Sequence, residues 1–113
     1  MSCLFCQIAE KKIPSKPAFE SDSVYGFHDV HPQAPVHVLF VPKQHIPDAD
    51  AITSSTESFL APLFAAARKV AHDLNINEKG YRLVINSKSD GGQTVDHLHL
   101  HLLGGRRMTW PPG

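Results

Sequence analysis

Three histidines alternate with leucines near the C-terminal end of the chain, at His97, His99 and His101. Successive side chains of a β-strand point to opposite faces, so this pattern predicts a strand over residues 97–103 with the three imidazoles on one face. The leucines then fall on the other face, where they can enter a core. Neutral imidazole is a nucleophile and a metal ligand near pH 7, because its ordinary pKa is about 6.5. We expect a chemical face here; a solvated polar face and a non-catalytic metal site are the alternatives.

A glycine-rich stretch leads directly into these histidines. It contains Gly91 and Gly92, flanked by Asn86 on one side and Thr94 on the other. Adjacent glycines allow positive φ and close backbone approach, so their N–H groups can cradle an anion. The Asn86 amide and the Thr94 hydroxyl are neutral donors suited to phosphate oxygens. A Gly-Gly pair alone is usually a turn, but its position suggests a phosphate held against an imidazole.

The only two cysteines, Cys3 and Cys6, form a Cys-x-x-Cys. In an intracellular chain this spacing favours metal or redox chemistry over a structural disulfide. A thioredoxin-like motif needs a βαβ context, which is missing this close to the N-terminus. Zinc needs two further ligands, and the chain has eight histidines to offer.

Length and charge restrict the class of protein. The 113 residues fit one domain over 1–113, long enough to bury a core without disulfides. Lys plus Arg and Asp plus Glu both number 11, so nothing recommends nucleic acid or an anionic membrane as a partner. Apolar runs fall far short of the roughly 20 residues of a membrane span. The N-terminus lacks the pattern of a secretory signal, and we expect a cytoplasmic location.

Hydrophobic periodicity, together with residues that end helices and strands, predicts the elements that must position these side chains. We expect a short helix over 3–11 and strands over 24–29, 37–41 and 81–86. Apolar spacing predicts an amphipathic helix over 56–74. Antiparallel strands with one long helix on a face make an α+β domain.

Two starts are open for the long helix. Ser54 and Glu57 have capping-box spacing, which favours the earlier start. Pro62 would then interrupt the helix, whereas a start near Ser58 places it in the tolerated first turn.

Residues 97–103 match the His-φ-His-φ-His-φ-φ signature of the histidine triad (HIT) superfamily. The stretches 91–95 and 103–113 around it, and 27–29 and 32–35 upstream, make nearly the whole chain resemble the HINT branch. The Trp-Pro-Pro-Gly ending favours HINT over the dinucleoside-polyphosphate hydrolases. The resemblance implies the HIT fold, with about five antiparallel strands, one long helix and a short N-terminal helix. It also implies a homodimer whose sheets join, with the C-terminal tail near the partner's active site.

The resemblance implies a purine nucleoside phosphoramidase that cleaves the P–N bond of adenosine 5′-phosphoramidate-type substrates and binds AMP or GMP. His99 would attack the α-phosphorus and form a covalent nucleotidyl-histidine that water hydrolyses. His101 and backbone donors of the loop residues Gly92, Gln93 and Thr94 would hold the phosphate oxygens. His37 matches a family histidine that supports the triad, although it could be a satisfied core histidine.

Further residues match the nucleotide pocket of the family. Asp29 occupies the ribose position, and a carboxylate can accept hydrogen bonds from two vicinal hydroxyls. The positions that line the base pocket are Phe27, His28, Val30 and Leu39, any of which could instead be plain strand or core residues.

The resemblance also completes the metal site, because some HIT proteins bind a structural zinc. The matching positions are Cys3, Cys6, His45 and His97, a Cys₂His₂ set that suits tetrahedral zinc. In that case His97 binds metal and does no chemistry; free thiols are the alternative. Asp96 departs from the bulkier residue typical of relatives, which affects packing or substrate preference more than the nucleophile.

Three other functions compete with the phosphoramidase. The chain could be a nucleotide-binding or interaction module with incidental hydrolysis, although binding alone needs no free imidazole at His99. It could be a dinucleoside-polyphosphate hydrolase of the same superfamily. A catalytic metal centre on the histidine face is the third, and it lacks the flanking carboxylate ligand usual in hydrolytic metal sites.

Overall fold

The computed structural model describes residues 3–113. Three α-helices occur in it, α1 (Leu4–Ala9), α2 (Leu60–Asp73) and α3 (Lys88–Gly91). The strands are β1 (Pro17–Glu20), β2 (Val24–His28), β3 (Val36–Pro42), β4 (Tyr81–Val84) and β5 (Leu100–Gly104). The α+β prediction, with a five-stranded sheet, one long helix and a short N-terminal helix, is confirmed. Within residues 3–113, no helix combines the length and apolar character needed to cross a bilayer.

The strands form one sheet in the order β1-β2-β3-β5-β4, and every neighbouring pair is antiparallel. β3 lies in the middle, and its apolar run is buried on both sides. Leu39 of β3 pairs with His101 of β5, and His37 pairs with Leu103. Directly opposed residues share a face of a sheet, so His37 and His101 are diagonal neighbours on the same face.

The two faces of the sheet carry two separate apolar clusters. On one face, α2 packs against Val38, Phe40 and the three triad leucines, Leu98, Leu100 and Leu102. These leucines are almost fully buried, which confirms their predicted core position. On the other face, α1 contributes Phe5 and Ile8 to a smaller cluster, which also contains Tyr25, Phe27, Leu39 and Val41. The triad histidines lie on this second side.

The long helix begins later than the capping box predicted. A 3₁₀ turn over Glu57–Phe59 precedes α2, whose N-cap is Phe59 without a side-chain hydrogen bond. The Ser54–Glu57 capping box is therefore wrong. The helix starts close to the later of the two predicted positions, and Pro62 falls in its first turn, where a missing N–H costs nothing.

The strand that carries the histidines is shorter than predicted, since β5 begins only at Leu100. Before it, the N–H of Leu98 donates to the carbonyl of Ile46 at 2.6 Å, and that of His97 donates to Val95 at 2.8 Å. These bonds replace a ladder with β3. The leucines and histidines nevertheless still lie on opposite sides. The edge strand β1 and the helical turn α3 inside the glycine-rich stretch were not predicted.

Candidate active site

Three histidines meet on the α1 side of the sheet, His37 from β3 with His99 and His101 from the end of the chain. The ring centroids of His99 and His101 are 4.9 Å apart, and those of His37 and His101 are 5.2 Å apart. His37 and His99 are buried, at 6% and 4% exposed. The fold therefore brings together the three residues that the sequence singled out for catalysis.

The hydrogen bonds of His99 determine which ring nitrogen is free. Its Nδ1 lies 2.7 Å from the carbonyl oxygen of His97. A carbonyl only accepts, so Nδ1 carries the proton and Nε2 keeps its lone pair. Burial lowers the pKa of His99 below the ordinary value, which keeps the ring neutral at pH 7. His99 thus has the protonation state that a nucleophile requires.

A second chain of hydrogen bonds fixes His37 and His101. The backbone N–H of Gln33 donates to Nδ1 of His37 at 3.1 Å, so the proton of His37 lies on Nε2. That Nε2 is 2.9 Å from Nδ1 of His101 and donates to it. His101 consequently carries its own proton on Nε2. Burial lowers the pKa of His101 to about 4, so the ring is a neutral donor at pH 7.

Asp29 is placed beside this pair by a tight turn. Its Oδ1 accepts from the N–H of His31 at 2.8 Å, and its Oδ2 lies 3.5 Å from Nε2 of His37. The carboxylate raises the pKa of His37, but burial lowers it by more, and the net pKa is below the ordinary value. The predicted sugar-binding residue therefore lies directly beside the histidines predicted to be catalytic.

Asp29, His37 and His101 also lie close enough together to suggest a metal site, with one donor atom from each within 4.8 Å. A ligand nitrogen must offer a lone pair, however, and Nε2 of His37 is protonated because Gln33 occupies Nδ1. His37 and His101 therefore form a hydrogen-bonded relay, with the Asp29 carboxylate beside it at 3.5 Å. His97 turns away from His99 and His101, so the three triad histidines do not converge on one point.

His97 instead faces Cys3, Cys6 and His45, and these four residues are called the cysteine–histidine cluster below. Their ligand atoms lie within 4.8 Å of one another. Nδ1 of His97 is 3.2 Å from both Sγ of Cys3 and Nδ1 of His45. The contacts of Sγ of Cys6 with the two histidine nitrogens measure 3.4 and 3.5 Å.

These separations fit a tetrahedral metal. Zinc bonds of about 2.3 Å to sulfur and 2.0–2.1 Å to nitrogen put neighbouring ligand atoms roughly 3.3–3.8 Å apart. Nε2 of His97 is engaged with the carbonyl of Pro42 at 2.8 Å, which leaves Nδ1 free to bind. Such a carbonyl partner on the outer nitrogen is typical of metal-bound histidine. Both cysteines are free thiols, so no disulfide competes.

The residues predicted to line the nucleotide pocket are not equally placed. Phe27 and Leu39 are buried in the apolar cluster beside α1, and His28 is half-buried at the end of β2. Val30 is 83% exposed and stands apart from that cluster.

The glycine-rich loop differs from the predicted anion cradle. Gly92 has a φ of 83° and closes α3, where its N–H donates to Ser89 and the N–H of Gln93 donates to Lys88, both at 3.0 Å. These two donors therefore point into the loop. Neither the N–H nor the hydroxyl of the exposed Thr94 has a partner within residues 3–113, and both remain available. Asn86 is half-buried at the start of the loop.

The side chain of Gln93 holds the loop closed. Its Oε1 accepts from the N–H of Lys88 at 2.7 Å. Its Nε2 donates to the carbonyls of Pro47 at 2.7 Å and Val95 at 3.0 Å. Both ends of the amide are occupied, so Gln93 shapes the loop that precedes the histidines.

Sequence reasoning missed two contributors, Phe5 and Gln33. The ring of Phe5 lies 5.0 Å from that of His99, nearly perpendicular to it. The sequence signal for Phe5 was its position between the two cysteines on a short helix. A helix whose two ligand side chains face the interior also buries a side chain that lies between them. Gln33 acts through its backbone, which its residue type could not reveal.

The HIT domain family model matches residues 10–108 of the chain. An uncharacterised HIT-like protein of Synechocystis is 47% identical over 110 residues, covering 97% of this chain and 96% of its own length. The purine nucleoside phosphoramidase of Escherichia coli K12 is 41% identical over 105 residues, covering 93% and 88%. The crystal structure of a HIT family hydrolase from Legionella pneumophila superposes with a TM-score of 0.96 at 48% identity, covering 99% of this chain and all of that one. On this evidence the chain belongs to the HIT domain family.

Proposed function

We propose that the protein is a purine nucleoside phosphoramidase that uses His99 as its nucleophile. The observation that carries the proposal is the neutral, buried ring of His99, with Nδ1 bound to the carbonyl of His97 and the lone pair of Nε2 free. The 41% identity to a protein named purine nucleoside phosphoramidase supports the same reaction class.

In the first step, Nε2 of His99 forms a bond to the α-phosphorus as the substrate P–N bond breaks. The leaving nitrogen keeps the bonding electron pair and takes a proton from water. In the second step, a water oxygen attacks the phosphorus, His99 leaves with its electron pair, and the proton of the water passes to solvent. The sum is hydrolysis of the P–N bond, and His99 returns to its starting state.

The neighbouring groups bind the substrate in this proposal. The Nε2–H of His101 donates to a phosphate oxygen, because its Nδ1 is already occupied by His37. The free N–H and hydroxyl of Thr94, with the amide of Asn86, are further donors. The carboxylate of Asp29 accepts from the ribose hydroxyls, and Phe27, His28 and Leu39 lie on the side of the base.

We further propose that the cysteine–histidine cluster binds zinc. Bound zinc would cross-link α1 to the segments that follow β3 and precede β5, and it supplies no step of the reaction. Elemental analysis of the purified protein should give about one zinc per chain. The Cys3→Ser/Cys6→Ser variant should contain no zinc. Absence of zinc from the purified wild-type protein would contradict the assignment.

A homodimer is the remaining part of the proposal. Trp110 is 82% exposed in a proline-rich tail, and β4 is an edge strand whose outer side pairs with no strand within residues 3–113. Light scattering should give twice the mass of the chain, and a monomer at micromolar concentration would contradict it.

Trapping the intermediate tests the nucleophile directly. Wild-type protein mixed with adenosine 5′-phosphoramidate and quenched in alkali should gain one adenylyl group in its intact mass. His99→Ala should gain none, whereas His72→Ala, which changes an exposed histidine on α2, should behave as wild type. An adduct of equal yield on His99→Ala would overturn the assignment.

A further inference from the structure

Phe5 connects the cysteine–histidine cluster to His99. It lies between Cys3 and Cys6 on α1, and its ring centroid is 5.0 Å from that of His99 at an interplanar angle of 88°. The same ring contacts His97 at 6.2 Å and Phe27 at 5.5 Å. Phe5 is only 6% exposed. One aromatic side chain therefore contacts both a cluster residue and the candidate nucleophile.

His99 is consequently held at two points, and both lead back to the cluster. Its Nδ1 donates to the carbonyl of His97, which is itself a cluster residue. Its ring makes an edge-to-face contact with Phe5, which lies in sequence between the two cysteines. The other ring contact of His99 is with His101.

The position of Phe5 depends on contacts outside its own helix. α1 has six residues, far fewer than the roughly 12–15 at which an isolated helix becomes even marginally stable. Its N-cap contact is internal to the motif, because Sγ of Cys3 accepts from the N–H of Cys6 at 3.1 Å. Ile8 is the other buried residue of the helix. A metal bound by Cys3, Cys6, His45 and His97 would fix α1 against the segment that precedes β5.

We propose that Phe5 is a positioning residue, through which metal occupancy of the cysteine–histidine cluster holds the His99 ring in its reactive orientation. This rests on the proposed function for the identity of the nucleophile and of the metal. Displacing a reacting group by about 1 Å can cost roughly 100-fold in rate, so the arrangement makes turnover depend on a site that takes no part in the chemistry.

The side-chain nitrogens of His99 give a readout that does not require activity. Two-dimensional ¹⁵N–¹H spectra at fixed pH distinguish the two neutral tautomers of imidazole. Zinc-loaded wild-type protein should show His99 in the Nδ1–H form alone. Phe5→Ala, and wild-type protein stripped of zinc with a chelator, should each show a mixture of forms.

Ile8→Ala is the matched control, because it removes a buried apolar side chain from the same helix without a ring contact to His99. It should lower the melting temperature about as much as Phe5→Ala does and leave the His99 spectrum unchanged. Phe5→Leu keeps most of the apolar volume, so it provides a folded variant if Phe5→Ala fails to fold, and it should restore part of the single-tautomer signal.

A kinetic cycle then tests the coupling. Phe5→Ala should lower kcat by about 10- to 100-fold, a larger effect than the change in KM that follows from its contact with Phe27. Cys3→Ser/Cys6→Ser should do the same. The combined variant with Phe5→Ala, Cys3→Ser and Cys6→Ser should lose little more activity than Phe5→Ala alone. Loss of the metal and loss of the ring both act on His99 through Phe5.

Multiplicative losses in the combined variant would overturn the proposal, as would a single His99 tautomer in both Phe5→Ala and zinc-free protein. The outcome is separable from failure of the proposed function. If wild-type protein does not cleave the phosphoramidate, the phosphoramidase is wrong, while the tautomer spectra still decide the role of Phe5.

Discussion

Nε2 of His37 lies 2.9 Å from Nδ1 of His101, although 64 residues separate the two in the chain. They come from the adjacent strands β3 and β5, and the register places them diagonally on one face. The N–H of Gln33 determines the direction of this hydrogen bond by occupying the other nitrogen of His37. One backbone donor in a turn thereby decides that His101 carries its proton on Nε2.

Replacing His37 should therefore impair His101 without touching the nucleophile. In His37→Phe, nothing donates to Nδ1 of His101, and the ring can adopt either tautomer. We expect kcat for phosphoramidate cleavage to fall by about 100-fold or more, within the range measured for loss of one such hydrogen-bonding group. Steady-state kinetics checks this against His72→Phe, an exposed histidine on α2, which should retain wild-type rates. Unchanged kcat in His37→Phe would show that the relay has no catalytic part.

Because the pKa of His101 is low in the folded protein, the free energy of unfolding should decrease as the pH is lowered. In the folded protein the pKa is about 4, against an ordinary value near 6.5. Between these values the unfolded chain binds more protons than the folded one, so the free energy of unfolding falls as the pH is lowered. His101 alone should contribute a loss of about 2 kcal/mol between pH 7 and pH 5.

Urea unfolding at these two pH values measures the effect. His28, His37, His97 and His99 also have lowered pKa values and act in the same direction, so the comparison must isolate His101. His101→Gln should lose less stability on acidification than the wild type. Equal losses in the two proteins would contradict the assigned pKa shift.

Gln93 should matter for the shape of the loop. Gln93→Ala removes the bonds to Lys88, Pro47 and Val95, and we expect a loss of about 1–3 kcal/mol in the free energy of unfolding together with a higher KM. Gln44→Ala is the control, because Gln44 is exposed and has no hydrogen-bond partner within residues 3–113. Amide hydrogen exchange of residues 88–95 should rise in Gln93→Ala alone. Identical exchange in the two variants would show that Gln93 does not hold the loop.

The parts of the fold that the sequence predicted well are those decided by burial. The leucines at 98, 100 and 102 are all buried in the core beside α2. Alternation therefore predicted correctly that the histidines lie on the opposite side, although the strand begins only at Leu100. The long helix was predictable from its apolar face, but its first residue was not. No strong cap marks that start, and a 3₁₀ turn merges into it.

The parts that sequence reasoning missed depend on hydrogen bonds between distant backbone groups. The backbone of Gln93 was expected to contact phosphate, because nothing local shows that its side-chain amide reaches Pro47, 46 residues away, and closes the loop. The tautomers of His99 and His37 are likewise set by a carbonyl and an N–H, which every residue type possesses. The candidate site residues could therefore be chosen from their spacing, but their protonation states required the structure.

The most direct test is AMP release from adenosine 5′-phosphoramidate by wild-type protein, His99→Ala and His72→Ala, each paired with a measurement of AMP affinity. We predict turnover by the wild type and His72→Ala, and none above background by His99→Ala, whose AMP affinity should stay within about tenfold because the relay and Asp29 remain in place. Equal turnover by His99→Ala and the wild type would contradict the account at its centre. No turnover by the wild type, with AMP still bound, would make the protein a nucleotide-binding module.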